Sequence, residues 1–113
     1  MKLKIRVDFE AAPAKRRNAN LSSYRRQIKA AVTVAMTDAG AKPATDGVGC
    51  KLKFYRPLSL TGNRFGDVDN LAKFVLTSMT GVAYVDVSKI MSLNVKKITG
   101  KKPRVEIELE LPA

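Results

Sequence analysis

The sequence of 113 residues predicts an α/β (α+β) fold, a small mixed sheet of about four strands with two helices on one face, in the order β-α-β-α-β-β. Three observations carry that expectation. Apolar and polar residues alternate in several short stretches, the mark of strands buried on one face. Between them, two stretches space their apolar residues three and four apart, as a helix resting on a core requires. Repeats, low-complexity tracts and obvious domain boundaries are absent, so one domain over residues 1–113 is expected, large enough for a single core.

Residues 2–9 alternate strictly, with Leu3, Ile5, Val7 and Phe9 on one face and Lys2, Lys4, Arg6 and Asp8 on the other. Glu10 to Asn20 holds Pro13 and the run Lys15-Arg16-Arg17, lacks periodicity and reads as an exposed loop. Leu21, Tyr24, Ile28, Ala31, Val32, Ala35 and Met36 then recur at helical spacing, with Asn20 or Ser22 as cap and Gly40 as stop. A second strand alternates Cys50, Leu52 and Phe54 with Lys51, Lys53 and Tyr55. After the loop from Pro57 to Gly66, Val68, Leu71, Val75 and Met79 mark a second helix ending at Gly81. Met91, Leu93 and Val95 suggest a third strand. A fourth runs from Arg104 to Leu111, with Val105, Ile107, Leu109 and Leu111 inward and Glu106, Glu108 and Glu110 outward. Thr99 to Pro103 reads as a hairpin-like turn joining the last two strands.

Charge narrows the function. Twenty-one basic residues against 10 acidic ones give +11, a balance that speaks for a polyanionic partner and says nothing of fold. The imbalance is uneven: residues 1–66 carry 14 basic and 4 acidic groups, a net of +10, whereas residues 67–113 carry 7 and 6, a net of +1. The single Cys50 excludes an internal disulfide and a cysteine-built zinc site, and the lack of histidine removes the commonest general base. Chemistry here has to use carboxylates, lysine and water. The start Met1-Lys2-Leu3-Lys4 is not a signal peptide and no apolar run approaches the ~20 residues of a membrane span, so the expected compartment is cytoplasmic, with no membrane partner.

Against that basic background, Asp67 and Asp69 stand two residues apart where a basic loop gives way to the second helix. In extended chain this spacing puts both carboxylates on one side, where they can hold a hard divalent cation beside phosphate. The plain alternative is that Asp67 caps the helix, Asp69 complements its dipole, and Lys73 pairs with Asp69 for roughly 0.2–0.5 kcal/mol. Asp86, taken alone, is an ordinary turn residue.

Two motifs tip that balance. Asp67-Val68-Asp69-Asn70-Leu71-Ala72-Lys73 and Gly81-Val82-Ala83-Tyr84-Val85-Asp86-Val87-Ser88-Lys89-Ile90 resemble the D-x-D-N-L-x-K and G-V-x-Y-x-D-D-x-Q-I/V motifs of the RusA family of Holliday-junction resolvases. Ser23-Tyr24-Arg25 adds a weaker match, and the resemblance runs close to full length. It implies a Mg²⁺-dependent homodimer, with Mn²⁺ as a substitute, that nicks a four-way DNA junction symmetrically in recombination and repair. A phage or prophage source is implied as well. By the same resemblance Asp67 and Asp69 are metal ligands, Asp86 a third acid, and Lys73 a catalytic or phosphate-positioning cation. Phosphate contacts then fall to Lys15, Arg16, Arg17, Arg25, Arg26, Arg64, Lys101 and Lys102, with Lys2, Lys4, Arg6, Lys51 and Lys53 sharing the outward phase of two strands that could be neighbours.

Two departures stand out. Val87 occupies the position that supplies the family's third essential carboxylate, and residues 10–17 replace its Pro- and Asn-rich opening loop. In extended chain Asp86 and Val87 point to opposite faces, so Asp86 takes over only through a twist or bulge. A non-cutting junction binder on the same scaffold, and more distantly a ribosomal-type RNA-binding protein, are the competing expectations. Phe65 and Tyr84 flank the acidic motifs, where packing competes with stacking on an exposed base.

Overall fold

The computed structural model describes the backbone of residues 1–8, 17–55, 68–98 and 104–112, and their side chains except those of 17–22 and 68–70. In chain order the elements are β1 (Lys2–Asp8), α1 (Arg17–Asp38), β2 (Val48–Tyr55), α2 (Val68–Ser78), a 3-10 turn (Val87–Lys89), β3 (Ile90–Ile98) and β4 (Arg104–Glu110). The expected mixed α+β architecture is present among the described residues, in the expected order.

The sheet is ordered β1-β4-β2-β3, with β4 antiparallel to both β1 and β2, and β3 parallel to β2. This differs from the sequence reading twice. First, β3 and β4 are not a hairpin, because β2 lies between them. The burial of the strands explains the choice. Val105, Ile107 and Leu109 of β4 are all but fully buried and need neighbours on both sides, whereas β3 keeps Leu93 46% exposed and carries Lys96 and Lys97, a composition suited to an edge. Second, β1 and β2 are not adjacent, because β4 separates them. The basic outer rows of the two strands therefore flank an acidic one. Lys4 and Lys51 both stand opposite Glu108, while Arg6 and Lys53 both stand opposite Glu106.

One apolar core lies between the sheet and the two helices. Ile5 and Val7 from β1, Leu52 and Phe54 from β2, and Ile107 and Leu109 from β4 meet Tyr24, Ile28, Val32 and Met36 of α1 and Leu71, Val75, Leu76 and Met79 of α2. Alternation in the strands and three-four spacing in the helices place these residues on the facing surfaces. Phe9 lies outside the described residues.

α1 begins four residues earlier than the first periodic apolar residue suggested, since Arg17 to Asn20 is helical and not loop. Its end follows the sequence. Gly40 takes φ 65°, its amide donates to the Thr37 carbonyl (3.0 Å), and the Ala41 amide donates to the Met36 carbonyl (2.9 Å). These paired bonds satisfy carbonyls that the helix leaves open, and the left-handed residue is glycine because a Cβ is disfavoured there.

Candidate functional site

α2 carries the first motif. Leu71, Ala72, Val75 and Leu76 are buried, so the helix is held along its inner side while Lys73 is exposed on its outer one. Asp69 lies within the first turn of α2, already helical, so the extended pairing suggested by the two-residue spacing does not apply at that position. Asp67 and Arg64 lie outside the described residues, as do Phe65, Lys15, Arg16, Lys101 and Lys102.

The second motif is largely structural. Gly81 adopts φ 84° at the reversal after α2, and its amide donates to the Tyr84 carbonyl (2.7 Å). Ala83 and Tyr84 are fully buried. The Tyr84 hydroxyl donates to the Leu76 carbonyl, and burial pushes its pKa up. Packing is therefore Tyr84's role, and it offers no ring to a base. Ala44, in the connection before β2, clips the segment from the other side: its amide donates to the Ala83 carbonyl, and its carbonyl accepts from the Val85 amide, each at 3.0 Å. The turn is thus tied both to α2 and to the approach to β2.

The residues just beyond this anchor hold the candidate third acid. Asp86 is extended (φ −158°, ψ 149°), fully exposed, and caps the 3-10 turn. Its Oδ2 accepts from the Ser88 amide at 3.3 Å and from the Ser88 hydroxyl, and these bonds hold its carboxyl below the usual carboxylate range. Val87 points elsewhere. It lines a mostly apolar groove between α2 and β3, together with Ala72, Lys73, Leu76, Thr77, Leu93 and Val95. Asp86 is not among the residues of that wall. The one register shift of β3 against β2 falls at Met91, after the 3-10 turn, and not at Asp86 or Val87. Among the described residues no three acidic, cysteine or histidine groups gather at one place.

Charged surfaces are equally informative. Arg25 and Arg26 are exposed on α1, and the Arg25 guanidinium lies 5.4 Å from the centre of the Phe74 ring, which ties α1 to α2 as well as leaving charge at the surface. Arg17 opens α1, with its side chain outside the description. On the outer sheet face, Lys4, Arg6, Lys51, Lys53 and Lys96 border one shallow hollow with Glu106 and Glu108. Lys51 Nζ is 3.6 Å from Glu108 Oε2, and Arg104 Nε is 3.2 Å from Glu106 Oε2, while the Tyr55 hydroxyl donates to Glu106 Oε1 at 3.1 Å. Such partly exposed pairs contribute ~0–1 kcal/mol each, but they blunt the positive field where β1 and β2 would otherwise present an unbroken basic face. Sequence reasoning missed Lys96 in this row and Leu93 in the groove. Their signal was the alternation of β3, legible only once its edge position is known.

Buried Cys50 stands apart from all of this. Burial pushes its thiol up to about 12, so it stays protonated and inert at neutral pH. No helix among the described residues is long and apolar enough to cross a membrane.

Comparison with known proteins agrees with the two motifs. No curated protein matches the chain. Among solved structures, CetZ from Methanosaeta thermophila strain DSM 6194 aligns over 98% of this chain at 14% identity and a TM-score of 0.44, and the chain spans 26% of that protein's length. A likeness that loose bears on neither fold nor function. The family model described as Endodeoxyribonuclease RusA matches residues 10–110, a span that contains α1, α2, the 3-10 turn and the three strands β2, β3 and β4. With the match covering most of the sequence, the chain belongs to the RusA family of Holliday-junction-resolving endodeoxyribonucleases.

Proposed function

We propose that this chain is a structure-selective, metal-dependent endonuclease that resolves four-way DNA junctions by paired nicks, acting as a homodimer in recombination and repair. The observation that carries the reading is the convergence of the two motifs: Lys73 from α2 and Val87 from the turn line one groove. Asp69 stands one helical turn before Lys73.

The donor chemistry at Asp67 and Asp69 suits magnesium, which takes one or two carboxylates and completes its octahedron with waters and phosphate oxygens. Val87 offers no lone pair, and Asp86 lies outside the groove wall that Lys73 and Val87 share. In this reading Asp67 and Asp69 are the ligands and Asp86 is not. Held by Asp67 and Asp69, such an ion would supply Lewis-acid stabilisation of charge on the scissile phosphate. Lys73 faces a non-bridging phosphate oxygen and stabilises the same charge. Hydrolysis breaks one P–O ester bond, leaves the water oxygen on phosphorus and gives the freed sugar oxygen a proton. Lys15, Arg16, Arg17, Arg26, Arg64, Lys101 and Lys102 contact phosphates along the arms, with Arg25 divided between DNA and Phe74.

Labelled four-way junction incubated with pure protein and Mg²⁺ or Mn²⁺ tests this. Asp67→Asn and Asp69→Asn should abolish cleavage and keep binding in metal-free buffer. Unchanged cleavage by both variants overturns the assignment. A second reading, a junction binder that does not cut, is favoured by Val87 alone. Cleavage by the native chain eliminates it, whereas cleavage gained only in Val87→Asp establishes it.

A further inference from the structure

We infer that the outer face of the sheet is a second DNA surface, where a line of cations running across the strands holds the phosphate backbone of a linear duplex without metal. It is separate from the candidate nuclease centre. Leu93 and Val95 of β3 face the groove that holds Lys73 and Val87, whereas Asn94 and Lys96 have the opposite phase and border the hollow on the other side of the sheet.

The strand register sets Arg6, Glu106, Lys53 and Lys96 in one line across β1, β4, β2 and β3. Glu106 stands opposite both Arg6 and Lys53 yet forms an ion pair with neither. It is turned along the sheet, accepting from the Tyr55 hydroxyl at 3.1 Å and from Arg104 Nε at 3.2 Å. The Arg104 guanidinium lies 3.8 Å from the centre of the Tyr55 ring, which holds this trio together at the end of the strands. In the next line the arrangement differs, since Lys51 does pair with Glu108. Lys53 and Lys96 are exposed direct neighbours, and neither makes an ion pair among the described residues. Like charges side by side on a sheet cost stability, and neither side chain contributes to the core. Two adjacent ammonium groups from which the nearest acid is turned away are arranged to meet an anion from outside.

Shape and chemistry select the anion. The hollow is shallow and open, so it suits a backbone laid across it and not an enclosed small molecule. From Arg6 to Lys96 the line crosses three interstrand spacings, roughly 14 Å at ~4.8 Å each. That matches about four phosphates of one DNA strand at ~3.4 Å of helix axis per charge. Arg6, at the far end, is engaged only with Asp8 in an exposed pair that a phosphate can replace. Single strands are held largely by stacking on aromatic rings, and here the one ring beside the line, Tyr55, carries Arg104 over it. The surface therefore offers charge without a stacking platform, which favours the phosphates of a duplex over unpaired bases.

Lysine acetylation read by mass spectrometry tests the surface independently of nuclease activity. In metal-free buffer, a short linear duplex should protect Lys53 and Lys96 severalfold and leave Lys42, exposed in the connection before β2, unprotected. Native protein saturated with an immobilised four-way junction in the same buffer should still capture that duplex in labelled form. Lys53→Gln combined with Lys96→Gln should lower capture at least tenfold and reduce the salt slope of duplex binding by about 2, with unchanged far-ultraviolet circular dichroism. Lys29→Gln combined with Lys42→Gln removes the same charge from exposed positions elsewhere and should retain capture. Unprotected Lys53 and Lys96, undiminished capture by the first double variant, or a junction that displaces the duplex each overturns the proposal. Failure to bind the junction at all would count against the junction-resolving reading, while protection by the linear duplex alone would still decide this surface.

Discussion

α2 and the turn from Asp86 to Lys89 meet at the same groove but are built on opposite principles. The helix is seated by Leu71, Val75 and Leu76 in the core, so what it displays outward, Lys73, is positioned by packing. The turn contains no buried residue and takes its shape from local bonds between Asp86 and Ser88. A side chain on a packed helix can be held for chemistry, because the core bears the cost of ordering it. A carboxylate that builds its own turn is held through Oδ2 where that turn puts it. The difference teaches why an acid next to the expected position does not inherit the setting of that position.

Substitutions can break this contrast, beginning with the largest effect. Leu71→Ala should cost about 2–5 kcal/mol in urea denaturation, since it opens a cavity under α2, and should lower junction cleavage by displacing Lys73. A loss below ~1 kcal/mol would mean that α2 is not seated as described. Tyr84→Phe removes the donor that joins the turn to the Leu76 carbonyl and should cost about 1 kcal/mol, read by the same measurement. Val87→Asp places a carboxylate in the groove beside Lys73 and should change stability by no more than ~0.5 kcal/mol while lowering the Mg²⁺ concentration at half-maximal cleavage. An unchanged metal requirement would separate Val87 from the centre.

The smallest effect concerns the turn itself. Ser88→Ala should return the Asp86 pKa upward toward the ordinary carboxylate value, followed by NMR titration. Because the folded value is depressed, Asp86 contributes stability above its unfolded pKa and loses it as pH falls through the folded one. The variant should flatten that acid-side dependence and leave behaviour at neutral pH alone. Asp86→Asn should likewise leave cleavage intact, in contrast to Asp67→Asn.

Local order was well written in the residues, and neighbourhood was not. Alternation marked the strands and three-four spacing the buried faces of both helices, because each depends on residues close in sequence. Strand order depends on which rows need cover on both sides. Val105, Ile107 and Leu109 carried that information, but only against the partly exposed β3 does it become a choice, and the hairpin reading lost to it. The start of α1 at Arg17 escaped for a different reason, since Arg17 to Asn20 contributes no apolar residue to mark a face. At the candidate site, Gly81 and Tyr84 looked like parts of a functional motif and are instead a reversal and a buried anchor. Val87 was conspicuous by comparison alone; its place in the groove wall needed the fold.

The position of β4 has a consequence for how the chain is made. Of the four described strands it is the latest in sequence, yet it lies inside the sheet and bonds to both β1 and β2, which have no ladder with each other. On a ribosome, β1 and the helices can collapse early, but the sheet cannot knit until its seam has left the exit tunnel. Such far-separated pairing slows folding and leaves strand edges open meanwhile. The glutamates of that seam, arriving last between two lysine-bearing strands, also bring the charge that lets those strands come together.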